Sequence, residues 1–342
     1  MVIDLSMDDD IADAANTATP PPPRRMLATW GIPNPFSYNI CFMAAAIRVF
    51  TETGFLSPIS VDLPANLLHY NFAYSAVDPD AGGMKTYRHT ALALDDTHLP
   101  LDAIGPRYRP CALHVLQQTM QPTPPPHISG DVAALGWESL GFELMRMDDS
   151  VAFVQRLLAL MSREASLLGV TLPWESYQTC QQGGFLCLRS GRLHHPDPVL
   201  SLVTELCVPP RDDLHYSIAD LCNLHFAGEH VEVLHCDSDP TPHTHIHQWD
   251  FQPRGPLAAY RVPRFVRDTV TGISTRQTWQ LAIDDTVHGL LVDLSDSIMA
   301  GHYIAIVRSD DGWCIYDDRA CTPCATLSPY FLRRVVLVVC ST

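Results

Sequence analysis

Two strand-like runs joined by a short polar turn constrain this chain more than any other feature. Gly301-His302-Tyr303-Ile304-Ala305-Ile306-Val307-Arg308 leads through Ser309-Asp310-Asp311-Gly312 into Trp313-Cys314-Ile315-Tyr316-Asp317-Asp318. Pairing the runs antiparallel through that turn brings His302, at the start of one, to Asp317, at the end of the other.

A carboxylate that orients an imidazole is half of a nucleophilic triad. The candidate nucleophile is Cys41, in Asn39-Ile40-Cys41-Phe42-Met43-Ala44-Ala45-Ala46-Ile47-Arg48, far away in sequence. A distant Cys and His that meet only in the fold are what a cysteine hydrolase requires. Residues 41–53 lack Gly and Pro and are rich in Ala, Met, Ile and Phe, which predicts a buried helix with Cys41 at its N-terminus. The helix dipole there favours thiolate over thiol. Taken alone, Cys41 also reads as an ordinary buried helix cysteine.

Composition narrows the partners. Apolar residues make up 46% and charged residues 18% of 342 positions, ample for a core. The formal charge of -16 argues against nucleic acid or an anionic membrane and for a basic protein surface. The longest apolar run, Val335-Val336-Leu337-Val338-Val339, is strand-sized, too short to span a bilayer. The first ten residues are acidic and lack the order of a secretory signal. The expectation is therefore an intracellular protein, of the cytoplasm or nucleus, whose eleven Cys are thiols. Residues 1–26, with Pro20-Pro21-Pro22-Pro23-Arg24-Arg25, read as a disordered acidic and Pro-rich leader ahead of a single domain at 27–342.

Within that domain, residues 54–110 are irregular. A helical region spans about 131–168, with Asp148-Asp149-Ser150 suited to a helix start. Strands follow at about 200–208, 229–235, 258–262, 278–283, 290–294, 303–307, 313–316 and 335–340, with a helix at about 217–226. Helices first and strands later predict an α+β fold with an antiparallel sheet.

In this order the segments resemble the ubiquitin-specific protease family of papain-like cysteine deubiquitinases. Gly31-Ile32-Pro33-Asn34 and Asn39-Ile40-Cys41-Phe42-Met43 match its Cys box, although Pro35 to Tyr38 makes the spacer two residues longer. Ala44, Ala45 and Arg48 stand where Asn, Ser and Gln are common. Gly301-His302-Tyr303 and Trp313 to Asp318 match the His box. Weaker matches lie between, at Asp148 to Leu158, Leu200 to Val208, Ser217 to Leu221 and Pro256 to Phe265.

The resemblance implies a thumb at about 27–175 and fingers and palm at about 176–342. It implies Cys41 as nucleophile, His302 as general base and acid, and Asp317 as the group fixing the imidazole. Asn34 or Asn39 would then serve the oxyanion, with Asp318 assisting. The implied partner is ubiquitin or a ubiquitin-like protein, and the reaction is hydrolysis after its C-terminal Gly. A catalytically weak ubiquitin-binding relative and a protease for a SUMO-like modifier remain alternatives. The family's fingers often hold structural zinc. Here the candidate ligands Cys180, Cys187, Cys236 and His243 have the wrong spacing for two tight knuckles, so a metal-free finger without cofactor is expected.

Overall fold

The computed structural model describes residues 27–34, 39–56, 71–73, 90–92, 111–126, 128–143, 148–169, 171–172, 174, 177, 179–187, 193–194, 199–206, 214–227, 230–236, 239–253, 255–267, 272, 274–295 and 301–342. The expected leader at 1–26 and most of the irregular 54–110 stretch lie outside these residues.

Helices dominate the first half. They are α1 (Cys41–Glu52), α2 (Ala112–Thr119), α3 (Ile128–Ala134), which continues as a π-helical turn (Leu135–Ser139), and α4 (Ser150–Leu168). The single helical region expected at 131–168 is thus two elements, split around Leu140 and Gly141, where Gly141 has φ +73. Asp149 caps α4, its Oδ1 accepting the N–H of Val151 at 2.8 Å and of Ala152 at 3.3 Å. Gly169 ends it in a left-handed conformation.

The strands, in chain order, begin with β1 (Asn71–Ala73), β2 (Thr90–Leu92), β3 (Thr179–Cys187), β4 (Leu193–His194), β5 (Val199–Ser201), β6 (Val203–Glu205) and β7 (His215–Tyr216). After α5 (Ile218–Ala227) come β8 (His230–Cys236), β9 (Asp239–Pro253), β10 (Leu257–Arg261), β11 (Phe265–Arg267), β12 (Ser274–Arg276) and β13 (Gln280–Leu281). The last are β14 (Val287–Asp293), β15 (Tyr303–Ser309), β16 (Gly312–Asp317), β17 (Ala320–Cys324), a short α6 (Pro329–Leu332) and β18 (Val335–Ser341).

The main sheet has the order β17-β16-β15-β14-β18-β10-β6 and is antiparallel except for β10 against β6. Its central strands feed two cores by alternation. Along β15, Ile304 and Ile306 join one cluster and Ala305 and Val307 the other; along β18, Val338 and Cys340 alternate with Leu337 and Val339. A sheet covered on both faces explains why these strands read as continuous apolar runs. Each fully buried Val, Leu or Ile contributes roughly 1.5–3 kcal/mol.

Helix α1 is buried on every side, between the sheet and the other helices, with no exposed face even at Arg48 and Glu52. A second sheet, β4-β3-β9-β8 with β5 on β3, stands apart from the main one. One expectation is corrected. Cys314 and Cys321 are joined as a disulfide, because the β16–β17 register sets them diagonally across the hairpin with Cα atoms 6.4 Å apart. Cys41, Cys111, Cys222, Cys324 and Cys340 are free.

Candidate active site

The hairpin read from the sequence forms as expected. Ser309 pairs with Gly312, and the ladder runs back to Ala305 opposite Tyr316. Gly312, at φ +137, supplies the conformation the tight turn needs. At the other end, Asp318 and Arg319 make the turn into β17, with Asp317 opposite Ala320 and Asp318 at φ +50. Asp is one of the few side chains that tolerates that region, and the conformation aims both carboxylates at the start of β15.

His302 sits just ahead of β15, where its carbonyl accepts the N–H of Leu294 at 2.7 Å. Gly301 has to be glycine: a Cβ there would stand 1.6 Å from Ser295 Oγ and 2.5 Å from Ser295 Cα. Ser295 cannot yield, because its N–H and hydroxyl both bond Asp293.

His302 Nε2 lies 2.6 Å from Asp317 Oδ1. The other ring nitrogen, Nδ1, is then left for the Cys41 thiol, which hydrogen-bonds the imidazole. That bond is the largest cause raising His302 from 6.5 to about 9; burial opposes the rise, and the bond to Asp317 and the charges of both partners add to it. The surroundings of the ring thus favour its protonated form. Ligand-type atoms of His302, Asp317 and Asp318 all lie within 4.8 Å of one another.

Cys41 is the first residue of α1 and is only 2% exposed. Asn39, at φ +52, turns the chain into Ile40, which caps the helix without a side-chain bond. Asn34 accepts the N–H of Ile40 at 2.8 Å and also hydrogen-bonds Asp318. Asn34 is thus a brace between the start of α1 and the turn at Asp318, and its carboxamide is already engaged. Burial, followed by the Asp317 charge, pushes the Asp318 carboxyl up; His302 and Asn34 oppose this. Cys41 and Asp318 share a small cavity with Ile32, Ala44, Ala45, Arg48, Tyr303 and Tyr316. The three departures from the family pattern, Ala44, Ala45 and Arg48, therefore meet in one space.

Two neighbours of the site were not assigned a role from sequence. Tyr303 is buried beside it, and burial followed by the charges of Asp293 and Asp149 pushes its phenol up. Asp149 also pairs with Arg261 at 2.7 Å, which reaches Glu205 at 3.3 Å. The Tyr of Gly-His-Tyr was the available signal for the first. Nothing local in the sequence marks the second.

The zinc candidates lie on the second sheet. Cys187 is opposite His245, His243 opposite Leu234, and Cys236 opposite Asp239, all toward one end. Cys180 is opposite Gln252, seven residues and about 23 Å along β3 from Cys187. The backbone does not bring these four to one centre.

No family model and no curated protein matches this chain. Among solved structures it is similar to the SAGA Ubp8/Sgf11/Sus1/Sgf73 DUB module bound to ubiquitin aldehyde. The TM-score is 0.59 and the identity 11%, over 93% of this chain and 71% of the other. It is likewise similar to that module with a Cys-to-Ala Ubp8 bound to monoubiquitin, with the same score and identity over 96% and 73%. At such identity the likeness shows the fold, which is of the ubiquitin-specific protease type.

Proposed function

We propose that this chain is a thiol hydrolase that cleaves the isopeptide bond after the C-terminal Gly of ubiquitin or a ubiquitin-like modifier. One observation carries the reading: Cys41 and the His302–Asp317 pair, from opposite ends of the chain, meet with the imidazole raised to about 9. The ubiquitin held by the structural neighbours supports the substrate class. The charge of -16 suits a basic partner, chiefly by steering encounter.

The thiolate of Cys41 attacks the Gly carbonyl carbon, forming a C–S bond as the carbonyl pair moves onto oxygen. Backbone N–H groups at the start of α1 receive that oxyanion. The C–N bond then breaks, with the imidazolium of His302 giving its proton to the leaving lysine amine. Neutral His302 next takes a proton from water, whose oxygen attacks the thioester. The C–S bond breaks, the thiolate–imidazolium pair returns, and the modifier leaves as a carboxylic acid that gives its proton to solvent. Asp317 holds the ring and its charged form throughout.

A weak or inactive ubiquitin binder is the second reading, favoured by the engaged Asn34 carboxamide and the burial of Cys41. A ubiquitin probe with a thiol-reactive C-terminus separates the two, with Cys41→Ala and His302→Ala as controls. Labelling lost in the Cys41 variant supports hydrolysis. Binding without labelling supports the second reading, and the absence of both labelling and binding sends the search to SUMO-like modifiers.

A further inference from the structure

Arg48 lies two turns beyond Cys41 on α1 and is 1% exposed. Its guanidinium is stacked 4.0 Å from the centre of the Trp30 ring and 5.6 Å from that of Tyr316. Nη1 donates to Glu52 Oε1 at 2.9 Å and to the carbonyl of Thr119 at 2.8 Å. The other carboxylate oxygen of Glu52 accepts the N–H of Ala28 at 3.0 Å. The buried ion pair thereby grips residues 27–34, which lie across the site as a strap.

The far side of the strap holds the acid turn. The carbonyl of Ala28 accepts the Tyr316 hydroxyl at 2.8 Å, and the N–H of Gly31 donates to the carbonyl of Arg319 at 3.1 Å. A Cβ on Gly31 would stand 1.8 Å from the Asp318 carbonyl, so strap and turn are in direct backbone contact. Asn34, the last strap residue before the nucleophile segment, bonds both Ile40 and Asp318. Among the described residues the strap is held by α1, by its N-terminal approach and by the segment flanking Asp317, and also by the bonds from Trp30 Nε1 to the carbonyl of Gln121 and from the Ser129 hydroxyl to the carbonyl of Pro33.

We infer that Arg48 is a positioning residue for the Cys41–His302–Asp317 site, acting through the strap at residues 27–34. What the site does rests on the function proposed above; the role of Arg48 in its geometry does not. The Asp317 side chain is 54% exposed, so little but the turn itself fixes its angle to His302. Taking the cation away leaves the Glu52 carboxylate buried and unpaired, and it releases the Trp30 stack that sets the height of the strap. Lys replaces the charge, but neither the planar stack nor the geometry of the two donated bonds.

The test uses the full chain and the variants Arg48→Gln and Arg48→Lys. His302 is faced by Cys41 from α1 and by Asp317 and Asp318 from the turn, so its titration midpoint, read by NMR of the imidazole, reports their placement. In folded Arg48→Gln the midpoint is expected to fall from about 9 toward 6.5. Alkylation of Cys41 by iodoacetamide should lose its reactivity below neutral pH in parallel. On a fluorogenic ubiquitin C-terminal amide, kcat should fall between about tenfold and 10²-fold with KM nearly constant, and Lys should restore part of it. A wild-type midpoint and kcat in folded Arg48→Gln overturn the inference. If that variant does not fold, Arg48→Lys decides on the same terms, a partial fall supporting and wild-type values overturning. Should wild type fail to cleave the conjugate, the proposed function falls, while titration and alkylation still decide the role of Arg48.

Discussion

The Oδ1 of Asn34 accepts the backbone N–H of Ile40 at 2.8 Å, one residue ahead of the Cys41 thiol, and the same side chain bonds Asp318. Asn34→Ala removes both links and leaves a partly buried N–H without its acceptor, a cost of about 1–3 kcal/mol. We expect kcat/KM to fall about tenfold or more in steady-state assays. An unchanged kcat/KM would mean that the brace holds nothing the reaction uses.

On the proposed mechanism, activity should decline as pH rises through the midpoint of His302, about 9, because the imidazolium assigned to protonate the leaving amine is lost. Asp317→Asn removes a bond and a charge that favour the protonated ring, so the alkaline limb of kcat/KM should move to lower pH. The maximal rate should drop about 10²-fold or more. A pH–rate profile of both proteins checks the two shifts together, with midpoints belonging to the coupled Cys41–His302 pair.

The same group links stability to pH. Its folded midpoint of about 9 lies above the ordinary 6.5, so its contribution is fully present below 6.5 and is lost as pH rises through 9. Urea midpoints of wild type and His302→Gln, compared at pH 6 and pH 9.5, should therefore converge at the higher pH. Divergence there would contradict the sign.

Glu164, 4% exposed on α4, accepts the N–H groups of Ala112 at 3.0 Å and Leu113 at 3.1 Å and the thiol of Cys111 at 3.3 Å. Burial pushes its carboxyl up, against the pull of those bonds. Glu164→Ala orphans the start of α2 and should cost roughly 2–3 kcal/mol in a urea titration. The kcat of the folded fraction should stay within about twofold of wild type, since a loss of this kind is one of stability and not of geometry at the site.

Gly301→Ala places a Cβ 1.6 Å from Ser295 Oγ and so drives His302 away from Cys41. Overpacking of this kind costs about 1–3 kcal/mol of stability. The kinetic loss should be larger in relative terms, about 10²-fold or more in kcat/KM, because the proposed base itself moves.

How much was legible in the sequence followed the range of the forces involved. The 309–312 turn, the Asp149 cap and Cys41 at the head of its helix are local matters of turn chemistry and periodicity, and all three are found. Strand β9 was missed because Pro240, Pro242 and a run of His argue against a strand, and only pairing on both edges overrides them. The strand expected at 278–283 shrinks to Gln280–Leu281, which pairs with β7. Arg48 showed itself only as a departure from a pattern. Its partners Trp30, Glu52 and Thr119 are brought to it by tertiary packing, which no window of residues contains. The Cys314–Cys321 pairing was hidden in the same way, behind a composition that argued for thiols.

Strand β18 enters the main sheet between β14 and β10, both of them drawn from earlier in the chain. On a ribosome, Cys41 emerges some three hundred residues before that slot can be filled. Until then the sheet against which α1 packs lacks the strand that joins β14 to β10. The sheet that carries both α1 and the strand after His302 is therefore joined across its width by residues 335–341.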